Sequence, residues 1–376
     1  MNSIRAEAEL IITLSRQELT PAAEAHAREL AAVPGSLDWG LFLDQVTEHR
    51  VASLVSRNID ELRAQDRPLP VEPSVAATLR AVRLCQQMSN RLMLGELRNV
   101  LAAAERSSIR VVPRKGGHLA QTVYREQGLR PMEDLDLLAD PADVPALTVL
   151  LAELGYQQGK LVGGVIQPLD RRESLYWRLF GSDLPHFSKL VGDSHTPVIR
   201  IDVSISLALP GKGYDIPVTE VLRRAVPFQI DGQQVSFLAP EDVLIDLCSH
   251  IYKKATVLRF MRQGKHRRLV KHVDIVEFIQ SCSGDFSWPT LLNRTDKYGI
   301  HPQVYYTLAH VNMLFPGEIP SEVLNTLGSS FEHCPAFLDE YGQWDLPTTL
   351  TWQRPFMDRF FSRLADQEIP PSKSLV

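Results

Sequence analysis

Asp134 and Asp136 have the spacing that places two carboxylates side by side. They flank one leucine at the start of a predicted strand, Leu135–Leu138. Alternate residues of a strand point to one face, so both carboxylates would lie together. Adjacent carboxylates repel and raise each other's pKa unless a cation lies between them. An oxygen-only ligand set suits Mg²⁺ bound with substrate phosphates. The alternative interpretation is that both aspartates are solvated residues at the end of a strand.

Asp202 is a third acidic candidate. It lies inside Val198–Ile205, the clearest strand of the sequence, where polar and apolar residues alternate. Aspartate is depleted from strand interiors, so its presence there needs an explanation. A neighbouring strand would place it beside Asp134 and Asp136, whereas the alternative is an outward-facing residue on an exposed sheet.

Gly116 and Gly117 form a candidate phosphate-binding turn, Arg114–Gly117. The turn lies between a predicted strand, Ile109–Val112, and a predicted helix, His118–Arg125. Glycines at such a position let backbone N–H groups approach a phosphate, and the helix N-terminus favours negative charge. A glycine pair alone is usually just a turn. The prediction of a phosphate site therefore depends on the aspartates that follow.

The elements around these motifs predict an α+β fold with three regions. Residues 1–107 form an N-terminal helical region, residues 108–239 an α/β core, and residues 240–376 a C-terminal helical region. A hairpin is predicted at Gln229–Phe237, around Asp231-Gly232. The predicted helices are Ala22–Val33, Leu37–His49 with Ser36 as its cap, Ser74–Glu105, Glu241–Lys254, Arg267–Ser281, Trp288–Gly299 and Pro302–Leu314.

Composition narrows the class of protein. The chain has 376 residues and a net charge of -5, so no strong global field exists to hold a polyanion. Its four cysteines, Cys85, Cys248, Cys282 and Cys334, include no CxxC pair, which disfavours a zinc knuckle and a disulfide framework. The first residues do not read as a signal peptide, and no apolar run spans a bilayer. We therefore expect a cytoplasmic protein without membrane contact.

The ordered motifs resemble a known family. Bacterial nucleotidyltransferases of the DNA polymerase β superfamily, in an uncharacterised-type branch, have a similar KG…Y…R…DxD…D pattern, and the similarity is specific over residues 108–206. That resemblance implies a small antiparallel or mixed sheet flanked by helices. The residues that carry it are Lys115-Gly116-Gly117, Tyr124, Gly128, Arg130, Asp134–Leu138 and Ile201-Asp202-Val203.

The resemblance also implies roles. Gly116 and Gly117 would contact the β and γ phosphates of a nucleoside triphosphate, with ATP expected. Asp134 and Asp136 would bind two Mg²⁺ or Mn²⁺ ions, and Asp202 would complete the metal site near the attacking group. Two such cations stabilise the attacking and leaving oxygens of an in-line displacement. The implied activity moves a nucleoside monophosphate from the triphosphate to an acceptor hydroxyl or phosphate and releases pyrophosphate.

Two positions depart from the family pattern. The superfamily usually has Gly-Ser where this chain has Gly116-Gly117, so phosphate contact would depend on backbone amides. The third acid of this branch is often followed two residues later by histidine, and Ser204 stands there. The second departure bears on substrate handling more than on metal binding.

Further candidates surround the motifs. Lys115 and Arg130 could bind triphosphate oxygens, or Arg130 could pair with Glu133 in a structural ion pair. The candidate acceptor-binding residues are His186, Ser204, Lys253 and Lys254. The lysines belong to a basic cluster that is either a solvated helix face or an anion site, formed by Lys253, Lys254, Lys265, His266, Arg267, Arg268 and Lys271.

The acceptor stays open at this point. A small molecule or biosynthetic intermediate fits the acidic chain, a protein side chain would make the enzyme an AMP-transferase, and a tRNA end would use the basic helices. A non-catalytic nucleotide-binding module is the alternative from another class, since Gly117 replaces the usual serine. A purely structural helical adaptor would leave the ordered motifs without a use.

Overall fold

A computed structural model describes residues 5–33, 35–180, 182–208, 213–230, 232–282, 284–329 and 335–370. The chain forms two compact units. The helical unit contains Met1–Leu84, Leu247–Gly284 and Ile300–Val376, and the α/β unit contains Cys85–Asp246 and Asp285–Gly299. These units are built from non-consecutive segments. The predicted division into residues 1–107, 108–239 and 240–376 follows the order of the chain and stays a prediction. Cys334, Asp231 of the predicted hairpin turn and the chain after Pro370 lie outside the described residues.

The first half of the chain contains helices followed by the strands of the main sheet. Its elements, in order, are α1 (Ala6–Thr13), α2 (Pro21–Ala32), α3 (Trp39–Glu48), α4 (Ala52–Arg63), α5 (Pro73–Arg106), β1 (Val111–Pro113), α6 (Lys115–Thr122), β2 (Leu135–Ala139), α7 (Val144–Glu153), β3 (Gln157–Gln158), β4 (Lys160–Val162), β5 (Val165–Gln167), α8 (Arg171–Phe180), β6 (Phe187–Leu190) and β7 (Val198–Ser204).

The second half returns to helices after one hairpin. Its elements, in order, are α9 (Val218–Arg223), β8 (Val226–Ile230), β9 (Gln233–Phe237), α10 (Pro240–Thr256), α11 (Leu258–Met261), α12 (Leu269–Ser281), α13 (Trp288–Tyr298), α14 (His301–Leu314), α15 (Ser321–Ser329), β10 (Glu340–Tyr341), β11 (Leu350–Thr351) and α16 (Phe356–Phe360).

The main sheet of the α/β unit has the strand order β1-β2-β7-β6-β3. Strands β2 and β7 run parallel, and their neighbours pair antiparallel. The predicted α+β fold with a small mixed sheet is therefore confirmed. The sheet brings β2 and β7 together although about sixty residues of chain separate them, because both present apolar residues to one shared core.

That core lies between α5 and one face of the sheet. Leu97 of α5 is buried with Leu135 and Leu137 of β2 and with Ile201 and Val203 of β7. These strand residues alternate with the polar ones, so burying them turns the aspartates to the opposite face. The packing of α5 thus decides which face of the sheet carries the chemistry.

The segment Asp285–Gly299 joins the α/β unit through ion pairs. Arg294 lies 3.3 Å from Glu241 and 3.1 Å from Asp242, both on α10. The Glu241 carboxylate also accepts a hydrogen bond of 2.9 Å from the backbone N–H of Ser287, directly before α13. These contacts fix α13 against the first turns of α10.

Long-range ion pairs connect the two ends of the sequence within the helical unit. Arg16, after α1, contacts Glu277 of α12 at 2.7 Å and Glu318, after α14, at 2.7 Å. The amide of Gln45 on α3 donates to the Phe361 carbonyl at 2.9 Å. N-terminal and C-terminal helices therefore share one compact unit.

Two local predictions need correction. Asp38, not Ser36, caps α3, since its carboxylate accepts from the Leu41 N–H, whereas the Ser36 hydroxyl donates to the Val33 carbonyl. The predicted turn at Arg114–Gly117 is the start of α6 itself, which begins at Lys115 and ends at Thr122. A β-strand that leads directly into a helix leaves no separate turn, so the periodic pattern alone placed this boundary too late.

Two observations on the described residues concern disulfides and membrane-spanning helices. No disulfide joins Cys85, Cys248 or Cys282. Across the described ranges, none of the helices is both long and apolar enough to cross a membrane.

Candidate active site

Asp136 and Asp202 lie next to each other on parallel strands. The register pairs Asp136 of β2 with Asp202 of β7 and, one residue earlier, Leu135 with Ile201. Side chains at paired positions share a face, so the two carboxylates are neighbours. Asp134 precedes Asp136 by two residues and belongs to the same face. The structure therefore brings together the three acidic residues singled out in the sequence.

The charges on this face repel one another. Burial, together with the neighbouring Asp136 and Asp202 carboxylates, raises the pKa of Asp134 to about 6, while Lys115 and Arg200 act in the opposite direction. A carboxyl group whose pKa is raised by like charges is stabilised in its ionised form by an added cation. The face therefore has the electrostatic character of a cation site.

Lys115 places its positive charge next to the Asp136 carboxylate. Its ammonium lies 2.5 Å from the Asp136 carboxylate, and both side chains are largely buried. Burial lowers the pKa of Lys115, but Asp136 more than offsets this and leaves that pKa above its ordinary value. The backbone of Lys115 has a φ of 45°, in the left-handed region that non-glycine residues rarely adopt. Such strain, of order 1–3 kcal/mol, concentrates at functional sites.

His186 holds Asp202 from the other side. Its Nδ1 lies 2.5 Å from the Asp202 carboxylate, and 48% of its side chain is exposed. The hydrogen bond to Asp202 raises the pKa of His186 above its ordinary value. The Trp177 indole of α8 meets the imidazole edge-on, with ring centroids 5.4 Å apart. His186 is thus oriented by two neighbours and still open to solvent.

The helix α6 begins beside β2. The Arg114 N–H donates to the Asp136 carbonyl at 2.9 Å, which connects the start of α6 to the strand that carries the carboxylates. Lys115, Gly116 and Gly117 form the first turn of α6, whose backbone N–H groups have no partner within the helix. This turn therefore lies where a phosphate could bind beside the acidic residues, although its role stays a prediction.

Both glycines are buried because neighbours occupy the space of a side chain. A Cβ on Gly116 would lie 2.9 Å from Arg130 Nη1 and 3.1 Å from Met132 Cγ. A Cβ on Gly117 would lie 3.0 Å from Leu97 Cδ2 on α5. Gly117 thus packs toward the core, which leaves little room for the serine that the family resemblance would lead one to expect there.

Arg130 lies at the first turn of α6. The contact distance to Gly116 places its guanidinium directly above that glycine, and the guanidinium donates to the Pro131 carbonyl at 2.6 Å. The Asn90 side chain donates to the Arg130 carbonyl at 2.8 Å, which fixes the backbone. A cation above the helix N-terminus is compatible with triphosphate binding, and the ion pair with Glu133 stays a prediction.

A buried network that sequence reasoning missed supports this face. Arg114 binds Asp246 of α10 through two guanidinium nitrogens and also donates to the Ser204 hydroxyl, which in turn donates to Asp183. Burial alone would lower the pKa of Arg114, but the neighbouring Asp246 carboxylate outweighs burial and raises the pKa of Arg114. The only sequence signal was the position of Arg114 directly before Lys115.

Ser204 therefore has a different environment from the one expected of an acceptor contact. It is only 1% exposed, and its hydroxyl already accepts from Arg114 and donates to Asp183. An acceptor-binding role for Ser204 stays a prediction that this burial does not favour. What the structure shows is a residue that orients Arg114.

Lys253 and Lys254 lie in the helical unit, in the last turn of α10. Their ammonium groups lie 5.8 Å and 3.4 Å from the centroid of the Phe260 ring, as in cation–π contacts. Nearby, Arg267 binds Glu48 at 2.8 Å and Asp366 at 2.7 Å. Part of the basic cluster is thus used in internal contacts, and its role in acceptor binding stays a prediction.

Arg200 is a second residue that sequence reasoning missed. It precedes Asp202 by two residues on β7 and is exposed, so its side chain shares the face of the carboxylates. Extending the register from Leu135 and Ile201 places Arg200 opposite Asp134, and its charge acts on both Asp134 and His186. The alternation Arg-Ile-Asp in the strand was the signal that could have found it.

The acidic residues fit a hard divalent cation. Three carboxylates supply oxygen ligands only, the set that Mg²⁺ and Mn²⁺ prefer, and their mutual repulsion favours a cation. Among the described residues no three His, Cys, Asp or Glu side chains form a preformed metal-binding cluster. Asp136 instead contacts the ammonium group of Lys115, and Asp202 contacts the imidazole of His186.

Comparisons with known proteins identify a family and a solved structure that the chain resembles. The sequence profile of a family described as uncharacterised nucleotidyltransferase matches residues 35–316. A crystal structure of an antigenic nucleotidyltransferase-like protein from Paracoccidioides brasiliensis is similar at 18% identity with a TM-score of 0.38, over 62% of this chain and 93% of that one. A search of curated proteins gives no match.

Proposed function

The chain belongs to the uncharacterised nucleotidyltransferase family, and we propose that Asp134, Asp136 and Asp202 form its catalytic centre. An oxygen of the acceptor, a hydroxyl or a phosphate, attacks the α-phosphorus of a nucleoside triphosphate, with ATP as the expected donor. A bond forms between that oxygen and the α-phosphorus, and the bond to the bridging oxygen breaks. Pyrophosphate leaves, and a hydroxyl acceptor loses its proton to the Asp202 carboxylate.

One observation carries this proposal. The in-register pairing of Asp136 with Asp202 on parallel strands places two carboxylates side by side, and Asp134 adds a third. Bound there, Mg²⁺ or Mn²⁺ would neutralise the negative charge of the triphosphate and of the attacking oxygen. The pKa of Asp134, raised first by burial and then by the Asp136 and Asp202 carboxylates, supports the same assignment, because an added cation would stabilise the ionised form.

The chain's own residues bind and orient the triphosphate. The first turn of α6 offers backbone N–H groups, and Lys115 and Arg130 add two positive charges on the same side of the carboxylates. A guanidinium binds phosphate oxygens in pairs, whereas an ammonium acts as a point charge. The triphosphate would therefore lie along the α6 side, with its α-phosphorus near Asp136 and Asp202.

The acceptor is proposed to be a small molecule or a biosynthetic intermediate in the cytoplasm. A protein side chain, which would make the enzyme an AMP-transferase, and a tRNA end are the other acceptors to test. Strong, salt-dependent retention of tRNA would favour the last. A non-catalytic nucleotide-binding module would bind Mg²⁺ and a nucleoside triphosphate and show no turnover with any acceptor.

The test is transfer from each labelled nucleoside triphosphate in the presence of Mg²⁺ and a panel of acceptors. Asp136→Asn should abolish both transfer and Mg²⁺-dependent nucleotide binding, measured by calorimetry, while circular dichroism stays that of the wild type. Asp215→Asn, at an exposed carboxylate of the same unit, is the matched control and should behave as the wild type. Transfer that persists in Asp136→Asn would refute the assignment.

A further inference from the structure

The sheet order separates two sides of the carboxylate pair. Lys115 of α6 contacts Asp136 on β2, and His186, directly before β6, contacts Asp202 on β7. Since β2 and β7 are the central neighbours in the order β1-β2-β7-β6-β3, α6 and His186 lie on opposite sides of the pair. With the triphosphate on the α6 side, the attacking molecule would enter on the side of His186.

Arg200 adds an exposed positive charge next to this second side. Its register neighbour on β6 is Ser188, and its charge acts on both Asp134 and His186, so it lies near the rim of the site. Within the part of the chain that the structure describes, no acidic side chain forms an ion pair with Arg200. An exposed guanidinium that forms no ion pair can donate paired hydrogen bonds to an anionic group of a ligand.

Trp177 adds an aromatic surface on the same side. Its indole packs edge-on against the His186 imidazole, with centroids 5.4 Å apart, and is only partly buried. Partly exposed tryptophan next to a charged group is a common contact for rings and apolar segments of ligands. His186 is hydrogen-bonded to Asp202 and half-exposed, so it connects this surface to the carboxylates.

We propose that Arg200, His186 and Trp177 form the acceptor subsite, and that the acceptor carries a phosphate or carboxylate group together with a ring or apolar segment. The anionic group binds Arg200, the ring packs on Trp177, and the reacting oxygen lies near Asp202. This inference rests on the proposed function, because that function decides which side belongs to the acceptor.

The test uses simple probes, since the acceptor is not identified. A complex of the protein with Mg²⁺ and a non-hydrolysable ATP analogue is titrated with phenyl phosphate, benzoate and benzyl alcohol, and binding is measured by calorimetry. Phenyl phosphate and benzoate separate a phosphate preference from a carboxylate preference, and benzyl alcohol carries the ring without the charge. The wild type should bind at least one anionic probe more tightly than benzyl alcohol.

Substitutions at Arg200 and at Trp177, with a control at Arg91, separate the contribution of the charge from that of the ring. Arg200→Gln should weaken the anionic probes about tenfold, the size of one lost charge-assisted contact, and leave benzyl alcohol unchanged. Trp177→Ala should weaken all three probes, with Trp177→Leu as a milder variant if the first folds poorly. Arg91→Gln, at an exposed arginine of α5, the helix that packs on the other face of the sheet, is the charge-matched control and should bind like the wild type.

Two results would overturn the subsite. Equal binding of phenyl phosphate and benzoate by Arg200→Gln and the wild type would remove Arg200 from the acceptor site. Weakened binding of the ATP analogue itself by Arg200→Gln would place Arg200 at the triphosphate instead. Failure of the proposed function can be distinguished from failure of the subsite. In that case the wild type would show no Mg²⁺-dependent binding of the ATP analogue before any probe is added.

Discussion

Replacing Gly117 with alanine tests whether the missing side chain at the start of α6 is a packing requirement. The added methyl would lie 3.0 Å from Leu97 Cδ2 and 3.9 Å from Pro113 Cβ. Two non-bonded carbon atoms attract each other most strongly at a separation of about 3.5–4.0 Å. Either α6 or Leu97 must therefore move by roughly half an ångström. Overpacking of this kind costs about 1–3 kcal/mol.

Helix propensity acts in the opposite direction and must be separated from packing. Alanine in place of glycine stabilises a helix interior by roughly 1 kcal/mol, so the net loss for Gly117→Ala is about 0–2 kcal/mol. Gly95 of α5 is the matched control, because nothing lies within 4 Å of an added methyl there. Gly95→Ala should gain about 1 kcal/mol. The difference between the two variants, about 1–3 kcal/mol, is the packing term.

The assay is urea unfolding followed by circular dichroism, with the denaturant slope compared between variants to confirm that the same transition is measured. In a Leu97→Ala background the contact is absent, so Gly117→Ala should become stabilising, and the double-mutant cycle should return a coupling of about 1–3 kcal/mol. If Gly117→Ala stabilises the wild-type chain as much as Gly95→Ala does, the space beside Gly117 is open and the steric explanation for the missing serine is wrong.

Two further predictions concern acid stability and the buried arginine. Burial lowers the pKa of His272 to about 3, so this residue contributes stability above pH 6.5 that is lost as the pH falls toward 3. At pH 5 the loss is about 2 kcal/mol, so unfolding at several pH values should show a shallower decline in His272→Gln than in the wild type. An identical decline in His272→Gln and the wild type would contradict the argument. Arg114→Met leaves Asp246 buried without its ion-pair partner and should cost about 3–5 kcal/mol by urea unfolding, with partial recovery when Asp246→Leu is added; no recovery would show that the pair is not the cause.

Local pattern predicted the elements of the α/β unit well. The alternation in Val198–Ile205 predicted a strand that the structure has at Val198–Ser204, and the apolar run after Asp134 predicted β2. These predictions depend on side chains within one element, where the period of two or of 3.6 directly reports which residues are buried. The start of α6 was placed too late because a strand and a helix meet there without a turn.

Contacts between distant segments could not be read in this way. Arg114 and Asp246 lie on separate elements, and nothing in either local sequence names the partner. Likewise the basic cluster is, in the sequence, either a solvated helix face or an anion site, whereas in the structure Lys254 lies over Phe260 and Arg267 is bound by acidic residues. A charge run reports composition, but only packing decides how much of that charge faces solvent.

The sequence by itself determined that Asp134 and Asp136 share one face, since the period of a strand requires it, and that Asp202 lies inside a second strand. Only the tertiary structure decided that these strands are parallel neighbours with Asp136 opposite Asp202, and that Lys115, His186 and Arg200 surround them. Strand order and register follow from burying apolar residues of both strands against α5, and that packing involves segments too far apart in the chain for any local pattern to encode.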